Sequence, residues 1–351
     1  MYKYTILLIT VILLLSETTL SATIFDESEI GKKNDKIVVS AYKLYDNKKL
    51  ALYLNRVANR VLKSVDDPQF DYNFKILDSP VVNAFALPGG YVYVTRGLLA
   101  TLNNEAELAN IIGHEISHIV YHHAVKNVKK SVASLLLTIG GLAASPEIRD
   151  EAGGWIIANS SIASQIQSGH GQEYESDSDQ NGMLFAFEAG YNPIGMSDFL
   201  STLKTIEQVK ITGFHGFLAT HPETVKRIID AEQTAIILNG RKKTELFQAN
   251  FFKNIDGIPY GEAAVRNGIA PHKIRIITIE DENLTYKSVT KRMLGDEQLS
   301  IEIAAINGDS VTEKLSKGRM IKLLVPNDEL PNVLQSDKQQ SDSKSKRLKI
   351  K

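Results

Sequence analysis

NEAELANIIGHEISHIVYHH, residues 104–123, holds four of the chain's eight histidines. Leu108, Ile111, Ile112, Ile116, Ile119 and Val120 recur at spacings of three and four, the period of a helix. Asn104 with Glu107 three positions on reads as a capping box that starts it. On such a helix His114 and His118, four apart, share a face, so both imidazoles can address one ion. Glu115 stands one position round, close enough to act on a water held there. Zinc suits two imidazoles plus a carboxylate, and a catalytic site keeps its fourth position for water. HExxH alone is a short pattern; its reading turns on whether a second helix delivers a third ligand.

Residues 169–193, GHGQEYESDSDQNGMLFAFEAGYNP, offer that helix, running from about Gln172 to Ala189 and stopping at Gly190. Two carboxylate pairs compete, Glu173 with Asp177 and Glu175 with Asp179. Residues two apart on a helix point about 200° apart, so only one pair can face the ion. The other pair is a solvated acidic first turn, favoured by the helix dipole.

Upstream, residues 40–65 read as a helix, with Leu50, Leu54, Val57 and Val61 on one stripe. The stretch FDYNFKILDSPVVNAFALPGGYVYV, 70–94, alternates as strands do, with a turn at Pro88-Gly89-Gly90. A further helix starts near Pro222. Texture changes around 251–261, and KIRIITIE and RMIKLLV then flank a helix-like piece near 287–305, the pattern of a small α/β module.

HEISH, the Glu-x-x-x-Asp helix, NAFALPGGYVYVTRGLLA before them and THPETVKRI after them together resemble the HtpX/BepA/Oma-type zinc metallopeptidases, peptidase family M forty-eight of the gluzincin group. The resemblance runs from about Tyr45 to Ile228, with four motifs in the family's order. It implies an α+β fold: a mainly helical zincin-type metallopeptidase domain with a small β-sheet, here 23–245. It implies one Zn2+ per chain. The family's third ligand is the first Glu of a Glu-x-x-x-Asp-x-x-Gly helix; counting back from Gly182 selects Glu175 as metal ligand, beside His114 and His118. Asp179, one turn on, is then placed to hold a ligand histidine. The chain departs from the family where Asp177-Ser178-Asp179 stands for the usual Glu-Ala-Asp, and where Gln172 stands for a frequent arginine.

The same resemblance makes Glu115 the general base and puts the loop of Thr220-His221-Pro222 near the site, His221 being an oxyanion donor or a latch on the open metal position. Arg227 is as readily an ion-pair partner as a substrate contact. Gluzincins bind peptide as an added strand on an exposed edge, which points to Asn83 and Ala84 as substrate-binding residues. His122 and His123 carry no expected role, because three ligands already complete the site. Residues 246–330 bear a looser resemblance to a LysM-like end, for which a packing role or a peptidoglycan contact follows.

The N-terminus fits an exported protein, and that expectation rests on the signal alone. MYKYTILLITVILLLSETTLSA has the layout of a signal peptide, 1–22, its apolar run being short for a span of about 20 residues. There is no cysteine, which excludes a lipoprotein anchor and disulfides. The net charge of -1 gives no sign of a nucleic-acid partner. The apolar run 131–144 is glycine-broken and reads as a buried helix, and 331–351 as a disordered basic tail. The expectation is a periplasmic endopeptidase acting on unfolded or misassembled envelope proteins, with contact to peptidoglycan or to outer-membrane assembly machinery. The alternatives are a processing protease with one dedicated substrate, or a zinc-containing, chaperone-like binding factor with little proteolysis.

Overall fold

The computed structural model describes residues 26–66, 68–126, 172–209, 217, 221, 224–261 and 271–327. The expected signal peptide, the apolar run 131–144 and the basic tail lie outside the described residues. Among the described residues no helix is long and apolar enough to cross a membrane.

The opening stretch forms the central helix. After α1 (Glu27–Tyr42) and α2 (Lys48–Leu62) come β1 (Asn73–Leu77), β2 (Ala84–Leu87) and β3 (Tyr91–Thr95), then α3 (Arg96–Thr101) and α4 (Glu105–Val120). Every residue of α4 from Glu105 to Ile119 is buried, so it is enclosed on all sides. Asn104 caps it by accepting from Glu107 N–H at 2.9 Å. The return arm of the expected capping box goes elsewhere: Glu107 accepts from Asn103 N–H at 2.8 Å and from the Asn104 amide at 2.7 Å. Glu105 anchors the same end. Its carboxylate accepts from Tyr53 at 2.9 Å, from Tyr191 at 3.0 Å and from the Asn250 amide.

The small sheet has the order β1-β3-β2, with β1 parallel and β2 antiparallel to β3, so among the described residues β2 is an edge strand. The β2–β3 turn needs its glycines: Gly89 and Gly90 take φ of +77° and +95°, a region that a Cβ disfavours. Alternation along the strands makes two faces. Phe74, Ile76, Val92 and Val94 join the main core, while Leu77, Phe85, Leu87 and Tyr93 pack with Ile30 and Val38 of α1. The single helix read over 40–65 is divided. α1 ends at Tyr42, Lys43 turns with a φ of +60°, and Asn47 caps α2 by accepting from Leu50 N–H.

Beyond α4 the described chain continues with α5 (Gln172–Glu188), α6 (Ile194–Gln208), α7 (Thr224–Asn239) and α8 (Gln248–Ile255). The C-terminal part holds β4 (Pro259–Tyr260), β5 (His272–Thr278), β6 (Leu284–Thr285), α9 (Tyr286–Leu294), α10 (Ser300–Ile306), β7 (Lys314–Leu315) and β8 (Met320–Pro326). The helix-like piece near 287–305 is two helices, because Gly295 ends α9 in the left-handed region. The whole is mainly helical with small sheets, in line with the expected α+β peptidase domain.

The C-terminal part shares the main core. Phe251, Phe252, Ile274, Ile303 and Leu323 belong to the hydrophobic cluster that includes Leu54, Leu108 and Ile112. Lys322 of β8 is fully buried, and its ammonium donates to the carbonyls of Ala100, Thr101 and Leu102 at 3.1, 2.6 and 2.9 Å. These are carbonyls at the end of α3, which lack helical partners of their own. Burial pushes Lys322 down to about 7.

Candidate metal centre

Two glycines bring the halves of the site together. α4 and α5 touch backbone to backbone at Gly113 and Gly182, where a Cβ on either would overlap the other helix. That close approach sets Glu175 and Asp179 against the histidine face of α4. Both are buried, whereas Glu173 and Asp177 are exposed, so the pair at 175 and 179 is the one that faces inward.

The donor atoms converge. His114 Nε2 and His118 Nε2 are 3.0 Å apart. Glu175 reaches both, Oε2 lying 3.5 Å from His114 Nε2 and Oε1 3.5 Å from His118 Nε2. His221 enters the same space, its Nδ1 being 2.7 Å from Glu175 Oε2 and 3.3 Å from His114 Nε2. One atom from each of His114, His118, Glu175 and His221 can be chosen so that all four lie within 4.8 Å of one another. Glu115 is fully buried beside them, with Oε1 3.6 Å from His221 Nε2. Phe217 stacks on the His221 ring at 4.3 Å, and Phe217 N–H donates to the Val82 carbonyl just before β2, which ties Phe217 to the sheet.

Behind the donors sits a charged brace. His114 Nδ1 donates to Asp179 Oδ1 at 2.9 Å. Arg227 of α7 grips that carboxylate with both arms, Nε to Oδ2 at 2.6 Å and Nη2 to Oδ1 at 2.7 Å. Its Nη1 donates to the His221 carbonyl at 3.1 Å and lies 3.2 Å from Glu175 Oε2. Burial opposes ionisation of Asp179, but Arg227 outweighs it and holds the carboxyl below its usual range. Burial likewise opposes ionisation of Glu175, and His221, His114 and His118 hold it well below. Burial raises Glu115 and outweighs the pull of His221 and His114. His114 would be lowered by burial, yet Asp179 and Glu175 raise it to about 10.

The residues present fit a divalent cation. Glu115, Glu175 and Asp179 are three buried carboxylates with one buried arginine among them, and buried charge needs balancing. Both oxygens of Glu115 and Oε1 of Glu175 are buried without a hydrogen-bond partner, as atoms are that await an ion or a water. Two imidazoles and a carboxylate are zinc's donor set.

The remaining candidates sit as follows. Asn83 is half-buried, with its backbone bound to Thr95 through N–H to Oγ1 at 3.0 Å. Ala84 opens the edge strand β2, and its carbonyl lies 3.4 Å from His221 Nε2. Two residues given little or no role in the sequence reading touch the candidate donors: Arg227, as the brace, and His123, which is 2.9 Å from His118. Helical periodicity could not have found His123. The helix ends at Val120, and His122, with a φ of +53°, folds the next residue back. His122 itself points away, to Glu27 at 2.7 Å.

A buried helix bearing two imidazoles and a carboxylate, opposed by a second helix with a further acidic donor, defines a zincin-type metallopeptidase centre. The chain belongs to peptidase family M48, whose model matches residues 48–235, and it is of the zinc-using BepA/Oma type. It is 26% identical over 223 residues to the beta-barrel assembly-enhancing protease of Escherichia coli strain K12, covering 61% of this chain and 44% of that protein. It is 28% identical over 199 residues to the protein of the same name from Yersinia pestis, covering 53% and 39%. It is 27% identical over 153 residues to the mitochondrial metalloendopeptidase OMA1 of Arabidopsis thaliana, covering 43% and 29%. The chain thus spans less than half the length of these relatives.

Proposed function

We propose that the chain is an exported zinc endopeptidase that cleaves misfolded or stalled envelope proteins in the periplasm. The observation that carries the reading is the buried convergence of His114, His118 and Glu175 with both oxygens of Glu115 left unpartnered beside them. A structural zinc site needs no such base. A chaperone-like binder of the same clients needs none either, and no observation favours that alternative.

In this reading His114, His118 and Glu175 hold the ion. When bound, zinc supplies a Lewis acid that polarises the scissile carbonyl and brings the pKa of a water toward about 7. Glu115 takes the proton of the attacking water and hands it to the leaving amine. Asp179, gripped by Arg227, keeps the His114 proton on Nδ1 and so keeps Nε2 free to ligate. The edge strand at Asn83 and Ala84 receives the peptide as an added strand. His221 acts as a latch: it lies among the donors and against the Ala84 carbonyl, where it would compete with a bound peptide. Residues 23–245 form the peptidase domain. Residues 246–330 form a LysM-like module whose first role is packing and whose second is a peptidoglycan contact.

The test is metal analysis joined to digestion of casein. The mature chain should bind one zinc and lose activity with a chelator. Glu115→Gln should keep the metal and lose most turnover. A Glu115→Gln variant that cuts casein at the wild-type rate would overturn the proposal.

A further inference from the structure

His118 Nε2 faces His114 Nε2 and Glu175 Oε1, so Nε2 is the atom this ring offers to an ion and must carry a lone pair. The ring's proton therefore sits on Nδ1. His118 Nδ1 lies 2.9 Å from His123 Nδ1 and 3.3 Å from Ser178 Oγ, and Ser178 Oγ is itself 3.3 Å from His123 Nδ1. Two N–H groups cannot face each other at 2.9 Å, so His123 Nδ1 must be bare. The proton of His118 is accepted there directly, or by Ser178, whose own hydroxyl then donates to His123. Both routes end on the same lone pair. Packing fixes the His123 ring in this position, for it is 2% exposed and stacks on Tyr174 at 4.5 Å and 17°, with Tyr121 at 5.9 Å and 21°.

We propose that His123, with Ser178, is a positioning residue that fixes the tautomer and ring plane of His118, as Asp179 does for His114. The two ligand histidines are then backed unequally, one by a carboxylate gripped by arginine and one by a neutral imidazole. A carboxylate raises the basicity of the ring it backs, so His118 is the weaker donor of the pair. The inference rests on the zinc reading above and deepens it.

The experiment compares wild type, His123→Phe and His123→Asn as full mature chains. Phenylalanine keeps a flat ring for the tyrosine stack and removes the acceptor; asparagine restores an acceptor near the place of Nδ1. Zinc affinity is read by competition with a chromophoric chelator, beside the melting temperature of each metal-free protein. Loss of such a partner weakens metal binding about 10–100-fold, so His123→Phe should fall by that factor and His123→Asn should recover most of it. Should His123→Phe not fold, ¹⁵N shifts of the zinc-loaded wild type decide: protonated Nδ1 on His118 and bare Nδ1 on His123 are expected. Phenylalanine affinity within twofold of wild type, asparagine as weak as phenylalanine, or the opposite ¹⁵N pattern overturns the proposal. A wild-type chain that binds no zinc fails the zinc reading itself, which the competition assay reports separately.

Discussion

Arg227→Met is the substitution whose cost follows most directly from the geometry. Arg227 is 4% exposed and lies between two carboxylates that are 4% and 1% exposed. It makes two short bonds to Asp179, one to the His221 carbonyl, and lies 3.2 Å from Glu175. Removing one partner of a buried ion pair leaves the other uncompensated and costs about 3–5 kcal/mol. With a urea m-value of ~2–3 kcal/mol/M, the unfolding midpoint of the metal-free protein should drop by roughly 1–2.5 M. The measurement is made without zinc, because bound metal adds stability of its own. Arg227→Lys should recover part of the loss: it returns the charge but not the two-armed grip. Adding Asp179→Asn to Arg227→Met should give a variant less unstable than the sum of the single changes, since one stranded carboxylate is gone. A midpoint shift worth under about 1 kcal/mol, or strict additivity in the double variant, would refute charge compensation as the role of Arg227.

Glu175→Gln should weaken zinc retention and Glu173→Gln should not, since only Glu175 is turned into the cluster; dialysis followed by metal analysis checks both. His221→Ala should keep zinc and gain activity on unfolded casein; a loss of roughly 10²–10³ would instead make His221 an oxyanion donor, and an unchanged rate would dismiss both roles. Lys322→Met should destabilise the chain by at least about 1–3 kcal/mol, the cost of one buried acceptor left unmet, and more if all three carbonyls stay dry. Burial holds Lys322 at about 7, below its unfolded value of ~10.4. The unfolded chain therefore binds the extra proton between those values, and stability from this group rises with pH across that window. The gap between wild type and Lys322→Met in urea melts should accordingly widen from pH 7 to pH 9.

What could be read from the sequence is what local periodicity encodes. His114 and His118 are visible because four residues make about one helical turn; the choice of Glu175 over Glu173 comes from the family resemblance, whose motif counts back from Gly182. The structure supplies the reason for that register: Gly182 is where α5 touches Gly113. The end of α5 was readable from Gly190, which takes a φ of +87°. Helix α1 was not, since Ile30 and Val38 bury against a sheet face formed by residues far along the chain. The same holds for Lys322: a lysine in RMIKLLV looks like a solvated strand residue until α3 is seen to end beside it. His123 and Arg227 act through contacts that no spacing rule connects, across a chain reversal in one case and from a separate helix in the other.

The charges of the site argue for its division of labour. Helix α4 contributes His114, His118 and Glu115, while α5 contributes Glu175 and Asp179. Three carboxylates are buried there with one arginine among them, and a divalent cation supplies positive charge that such a cluster needs in a dry interior. The raised pKa of His114, at about 10, expresses the same shortage: a proton is retained on a ring whose burial should expel it. Zinc and that proton compete for one region of negative potential, so metal affinity should fall as pH drops below about 10. Arg227 grips Asp179 with two arms and reaches Glu175 with one nitrogen, so in the proposed reading Asp179 orients His114 while Glu175 keeps Oε1 for the ion.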